Sequence, residues 1–354
     1  MNELLYKKTI VRPFIYASAS VGAVSLSMLM FLLLQVMMLF ITKSYAALIV
    51  ISAAVAGSLC ADAANKAFRS SYTFSLPLSM VQGIIIGMLL PSLFPPITVF
   101  FLTFFTLLLS KYLTGGFANG WVNAAVVIVV LAWIIGINAF PAITATRDIL
   151  QLKNPSYILI QSGTFPVLHF DSLVTDVLNN VIFHFANISI PDGYVSLLWD
   201  TQSVIPAFRF NLLTLLSSIF LFSSGMMSLL VPTCFVVSYS LLVRFAGPLF
   251  FGGITGQGDM LLALLTGGTF FFAVFVVQWY GTVPLTSWGK TIYGILCGML
   301  AFLIAGCGTS SAGMVFAVLC ANILSPLIQI AEEQKNRKAL HALLENHARE
   351  QEKR

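Results

Sequence analysis

Charge is what this chain has least of. Of its 354 residues, 9% are charged, where a water-soluble domain carries about a quarter. Hydrophobic residues make up 58% of the chain and the mean hydropathy is +0.93. A water-soluble core cannot hide that much apolar surface, so a soluble globular protein is excluded. The net charge of +5 is scattered, which excludes a basic patch of the nucleic-acid kind.

Metal-binding spacings are missing as well. The five cysteines, Cys60, Cys234, Cys297, Cys307 and Cys320, contain no C-x-x-C pair, and His169, His184, His341 and His347 contain no H-x-x-x-H pair. The cysteines read as small apolar fillers, and a metal site made by this chain alone is not expected. No cleavable leader is expected: MNELLYKKTIVRPF runs into an apolar stretch too long for a signal peptide and without a small-residue cleavage site. The GKT at Gly289–Thr291 is not a P-loop, because Pro284 stands where the first glycine is needed. GGITGQGD, residues 252–259, reads as a tight turn, with phosphate binding the lesser alternative. No Glu falls inside an apolar run; Asp62 and Asp259 lie near run ends, and Asp62 has Lys66 one helical turn away. An ion path built on a deep acid therefore finds little support.

What the chain does have is apolar runs. Ten stretches are long enough to cross a membrane as helices, near 17–41, 45–64, 76–91, 94–113, 121–141, 207–223, 225–245, 260–278, 290–306 and 311–330. The fold class expected is an all-α integral membrane protein. Residues 1–141 form a first five-helix half and 207–330 a second. Between them, 142–206 forms a long extracytoplasmic loop, and 331–354 a charged cytoplasmic tail. The third run is short and stops at Pro91, which suggests a half-helix. With the N-terminus inside, thirteen of the eighteen Lys and Arg residues fall on the inner side, so both termini are expected to be cytoplasmic. Five spans per half make the halves insert in opposite senses, which permits an inverted repeat with a site at its interface. Leu340, Leu343 and Leu344 lie on one face of a tail helix, which either docks to a partner or is solvated.

A resemblance covers residues 70–330. Leu264, Leu265, Thr266, Gly267 and Gly268 stand like the L-L-S-G-G of the NqrB/RnfD family. Thr282 and Pro284 fall in its A-T-D-P-V-T-S-P, and Gly289, Lys290, Ile292, Tyr293 and Gly294 match G-K-x-I-Y-G. Val315, Phe316, Ala317, Val318, Leu319, Asn322, Pro326 and Leu327 follow its closing motif, and Lys111, Gly115, Gly116 and Asn123 a step in the first half. The chain resembles this family of membrane subunits of Rnf-type electron transport complexes and sodium-translocating NADH:quinone reductases.

The resemblance implies an inner-membrane subunit of an ion-translocating (Na+ or H+), flavin-dependent complex in bacteria, working beside other membrane and peripheral subunits. It also implies a flavin. The family's outer loop carries D-x-x-(S/T)-G-A-T, whose last Thr holds FMN by a phosphoester; an ester keeps the cofactor from diffusing away. Here Asp171 matches the Asp, but the threonine position is Val177. Thr175 and Thr164 are the nearest candidate attachment hydroxyls, with an unmodified loop as the alternative. Thr266, Gly267, Gly268, Thr282 and Lys290 are candidates for a pocket holding riboflavin or noncovalent FMN, and otherwise serve close helix packing and a positive-inside anchor. The alternative functions are a small-solute transporter and a non-redox assembly subunit.

Overall fold

The computed structural model describes residues 19–69, 76–113, 120, 122–141, 167–186, 189–251, 256, 258–306 and 310–352, and its architecture is all-helical. Helix α1 (Val21–Ile41) starts where the Ser20 hydroxyl accepts the Ala23 N–H at 3.2 Å. Met28, Leu32, Gln35 and Leu39 on one side of it are buried, while Met30, Leu34, Met37 and Phe40 are exposed. A helix as apolar outside as inside has lipid as its outer solvent.

The first set continues with α2 (Tyr45–Arg69), α3 (Leu76–Leu89), α4 (residues 96–113) and α5 (Ala124–Ile135). Helix α3 is buried on nearly every side and stops before Pro91, as the short third run suggests. The linking segment contributes α6 (residues 171–186) and α7 (Tyr194–Trp199). The second set is α8 (Asn211–Ser223), α9 (residues 230–251), α10 (Met260–Thr266), α11 (residues 269–276), α12 (residues 287–306) and α13 (Gly313–Glu352). Among the described residues, five helices, α1, α2, α9, α12 and α13, contain stretches long and apolar enough to cross a membrane; α3, α4, α5 and α8 are apolar but shorter.

Packing depends on small residues. Helix α2 lies against both α3 and α4, and α9 lies against α12. A Cβ on Gly87 would sit 2.5 Å from the Ile51 Cα, and one on Gly298 2.7 Å from the Phe235 carbonyl oxygen. Helix α1 meets α8, where Gln35 Nε2 donates to Thr214 Oγ1 at 3.0 Å; α5 meets α13. Two expected outlines change. The run 260–278 is two helices, because α10 ends at Thr266 and Gly268 turns back at φ +67°. The last run does not stop at 330, since α13 carries on through the charged residues to Glu352.

Candidate functional site

The family resemblance implies flavin on the segment between the two helix sets. The Asp171 side chain in that segment is buried and fully used. Its Oδ1 accepts the Gly193 N–H at 2.7 Å and the Thr175 hydroxyl at 3.2 Å. Its Oδ2 accepts the Ser196 N–H at 2.6 Å and the Ser196 hydroxyl at 2.5 Å. One carboxylate thus ties α6 to the start of α7. Thr175 is buried in the same cluster and its hydroxyl is already donating. Val177 is 53% exposed, so the attachment position is reachable but has no hydroxyl. Thr164 lies outside the described residues. Covalent FMN therefore does not fit Val177, nor Thr175 as it is folded.

Removing this carboxylate has a defined cost. Asp171→Ala leaves the buried Gly193 and Ser196 amides without acceptors, at about 1–3 kcal/mol for each such group. Hydrogen exchange of those amides is expected to quicken roughly ten- to a hundred-fold, with exchange in α2 and α12 unchanged.

A second knot anchors the segment to the helix bundle. Arg209 Nε donates to Asp200 Oδ1 at 2.9 Å and its Nη2 to Oδ2 at 2.5 Å, with both side chains about nine-tenths buried. Its Nη1 donates to the Ser44 hydroxyl, in the turn between α1 and α2, at 2.5 Å. Asn211 Nδ2, at the start of α8, donates to the carbonyls of Leu197 (3.0 Å) and Leu265 (2.8 Å). The Leu265 carbonyl lies at the end of α10, where helical acceptors lack partners. Next to it stand Thr266, Gly267 and Gly268. The Thr266 hydroxyl donates to the Leu262 carbonyl at 2.7 Å, and Gly268 lies so close to the Phe208 ring that a Cβ there would overlap it.

Thr282 and Lys290 lie elsewhere, beyond the far end of α11. Among the described residues no hydrogen bond joins Thr266, Gly267 or Gly268 to Thr282 or Lys290. Thr282 belongs to a polar junction at the non-helical stretch 277–286. Its hydroxyl donates to the Trp279 carbonyl at 2.8 Å, and its own carbonyl accepts the Ser325 hydroxyl at 2.6 Å. Asn123 caps α5 by accepting the Ala125 N–H at 3.0 Å, and its Nδ2 donates to the Val276 carbonyl at 3.1 Å. A Cβ on Gly281 would stand 3.0 Å from the Gly120 carbonyl oxygen, so the irregular stretches of the two helix sets touch. The Tyr280 hydroxyl lies 3.1 Å from that of Ser25 in α1. Tyr293 donates to Asn322 Oδ1 at 2.7 Å, and Pro326, lacking an N–H, gives the Asn322 carbonyl no helical donor. Asn322 Nδ2 is buried without a hydrogen-bond partner among the described residues.

The side chains that hydrogen-bond at this junction, Thr282, Ser325, Tyr293, Asn322 and Asn123, are polar and uncharged, and Trp279 beside them is buried. Lys290 sits in the first turn of α12, partly exposed. That helix is capped by Thr286, which accepts the Gly289 N–H at 3.1 Å and donates to the buried Glu332 of α13. Asp259 has a capping role: its Oδ1 accepts the Leu262 N–H at 2.9 Å, and its other oxygen accepts the Tyr194 hydroxyl. Sequence reasoning missed Asp200, Ser325 and Glu332, whose partners lie 9 to 46 residues away in the chain. It named Asn123 and Asn322 as motif matches without a role.

The profile of the NQR2, RnfD, RnfE family matches residues 8–338, nearly the whole chain. The chain belongs to this family. Among its relatives, a component of the Na(+)-translocating ferredoxin:NAD(+) oxidoreductase complex of Acetobacterium woodii is 27% identical over 115 residues, 32% of this chain and 33% of that protein. A component of the ion-translocating oxidoreductase complex of Salmonella arizonae is 36% identical over 118 residues, 33% of each chain. Its counterpart in Actinobacillus succinogenes is 30% identical over 154 residues, 44% of this chain and 39% of the relative. The alignments thus span a third to two fifths of these relatives' length. In this NQR2, RnfD, RnfE family member the motif glycine Gly268 makes a left-handed turn under Phe208, and the motif asparagines Asn123 and Asn322 sit at the junction of the helix sets.

Proposed function

We propose that the chain is a membrane subunit of an Rnf- or Nqr-type complex that couples electron transfer through flavin to outward movement of Na+ or H+. The observation that carries this reading is the family match over residues 8–338 on an all-helical, apolar architecture. Its partners are the other membrane and peripheral subunits, and its place is the bacterial inner membrane, with both termini cytoplasmic and 142–206 outside. Ten crossings in two inverted halves are supported by the matching pairings, α1 on α8 and α5 on α13. When bound, a flavin supplies one- and two-electron chemistry. Riboflavin or noncovalent FMN would lie near Thr266–Gly268 or near Thr282 and Lys290. At both places the threonine hydroxyl already donates to a backbone carbonyl, leaving it free to accept a hydrogen bond from a flavin.

The exposed, hydroxyl-free Val177 favours a second reading, in which the chain serves as scaffold while neighbours hold the flavins. Purification from the native host in mild detergent, with subunit identification and flavin analysis, tests both. Copurifying subunits are expected, with no FMN-modified peptide covering 167–186. A solitary, flavin-free protein that drives solute uptake in proteoliposomes would instead make it a transporter.

A further inference from the structure

Helix α6 has two unlike faces. Asp171, Thr175 and Asn179, spaced by four, point inward and are bonded. Asn179 pairs with both backbone groups of Ile190, each at 2.9 Å, and the other two belong to the Asp171 cluster. The opposite side carries Phe170, Leu173, Val177, Val181 and Phe185, all exposed, with Phe185 at 90%. Residues 171–177 are α-helical, 178–182 form a π-helical turn and 183–186 a 3-10 turn, and apolar side chains stay exposed through all three. The five stripe residues are apolar, with the exposed Asp176 and Asn180 flanking them. The inner hydrogen bonds fix the helix, so it cannot roll to hide the stripe. Fully burying one such side chain contributes about 1.5–3 kcal/mol, so five left in water forgo a large gain.

The stripe adjoins the apolar exterior of the bundle. It begins at Phe170, whose ring meets Trp199 edge-on with centroids 6.3 Å apart. Trp199 is itself exposed and ends α7; two residues earlier, the Leu197 carbonyl is bonded to Asn211, the first residue of α8. On α8 the exposed large hydrophobic residues are Leu216, Ile219 and Phe220. Helix α7 packs against α8, so the exposed Trp199 and Phe170 stand next to a helix whose exposed large side chains are apolar. Tryptophan and other aromatic rings gather at the level where a span leaves the hydrocarbon.

We propose that α6 is an interfacial helix, with its Leu173, Val177, Val181 and Phe185 face seated in the boundary between headgroups and acyl chains of the membrane the bundle spans. Charge identifies the kind of lipid contact. Residues 167–199 contain Asp171, Asp176 and Asp192 and no Lys or Arg, so attraction to anionic headgroups does not hold the helix down. Burial of apolar area does, and the seating is indifferent to salt. In this arrangement the position where relatives of this family would carry a flavin ester faces lipid. The inference does not depend on whether the complex is redox-active.

Nitroxide labels test it in the full chain, in native membranes and in phosphatidylcholine vesicles. Single cysteines would replace Ser172, Leu173, Val177, Val181 and Phe185 in a variant with the five native cysteines removed. At Val177 and Val181 the label is expected to collide several-fold more with oxygen than with a water-soluble nickel chelate, and at Ser172 the order reverses. Free access of the chelate to the whole stripe overturns the proposal. Exclusion of both reagents at Val177 and Val181 also overturns it, because protein then covers the face. Should the cysteine-free variant not fold, Phe185→Trp in the native chain provides the second measurement. Brominated phosphatidylcholine should quench its added emission, equally at low and high salt, and no added quenching rejects the inference.

Discussion

Asp200→Ala is expected to lower the unfolding free energy by about 3–5 kcal/mol, because it leaves the Arg209 guanidinium buried without its carboxylate. Arg209 is held by both oxygens of Asp200 and by Ser44, and its Cζ lies 5.1 Å from the centre of the Phe210 ring. These contacts join the linking segment, the α1–α2 turn and the start of α8 at one point. Thermal unfolding in detergent measures the loss. The double variant Asp200→Leu with Arg209→Met should recover most of it, since a buried ion pair is often replaceable by apolar residues of like size while a broken one is not. Equal losses in the single and double variants would mean that packing, and not the uncompensated charge, sets the cost.

Gly268→Ala is the second large effect. A side chain at φ +67° costs about 1–2 kcal/mol in backbone strain. Here the new methyl also overlaps the Phe208 ring, and forcing it in adds about 1–3 kcal/mol. Gly267→Ala is the control. That glycine has negative φ, and its added Cβ would lie 3.2 Å from the Ala263 carbonyl oxygen, a contact eased by a small shift. Gly268→Ala should therefore reduce the yield of folded protein in membranes well below that of Gly267→Ala. Similar yields for the two would show that the turn tolerates a side chain.

Hydropathy makes the membrane class and most helices legible, because lipid forces each crossing segment to satisfy its own backbone hydrogen bonds. The early stop of α3 is legible from Pro91. The break in 260–278 is not, since Thr266-Gly267-Gly268 interrupts the run too briefly for hydropathy to register, and hydropathy does not see a left-handed turn. The role of Asp171 is hidden for another reason. Its partners Gly193 and Ser196 stand 22 and 25 residues away, and a carboxylate bonded to distant amides has no local sequence pattern. Likewise Thr175 has the right atom for an ester, and only the fold shows that its hydroxyl is committed to Asp171. The pair of Gln35 and Thr214, 179 residues apart, is equally invisible.

Helix α13 has 40 residues, about 60 Å of rod. Its first turns are buried at Met314, Val315 and Val318, and its later half carries the exposed Arg337–Glu333 ion pair. The rod has one soft joint, at Pro326, four residues beyond Asn322 and next to Ser325, which grips the Thr282 carbonyl. A pull or twist on the charged end is therefore not absorbed along the shaft. It arrives at Pro326 as bending, beside the place where the irregular stretches of both helix sets meet.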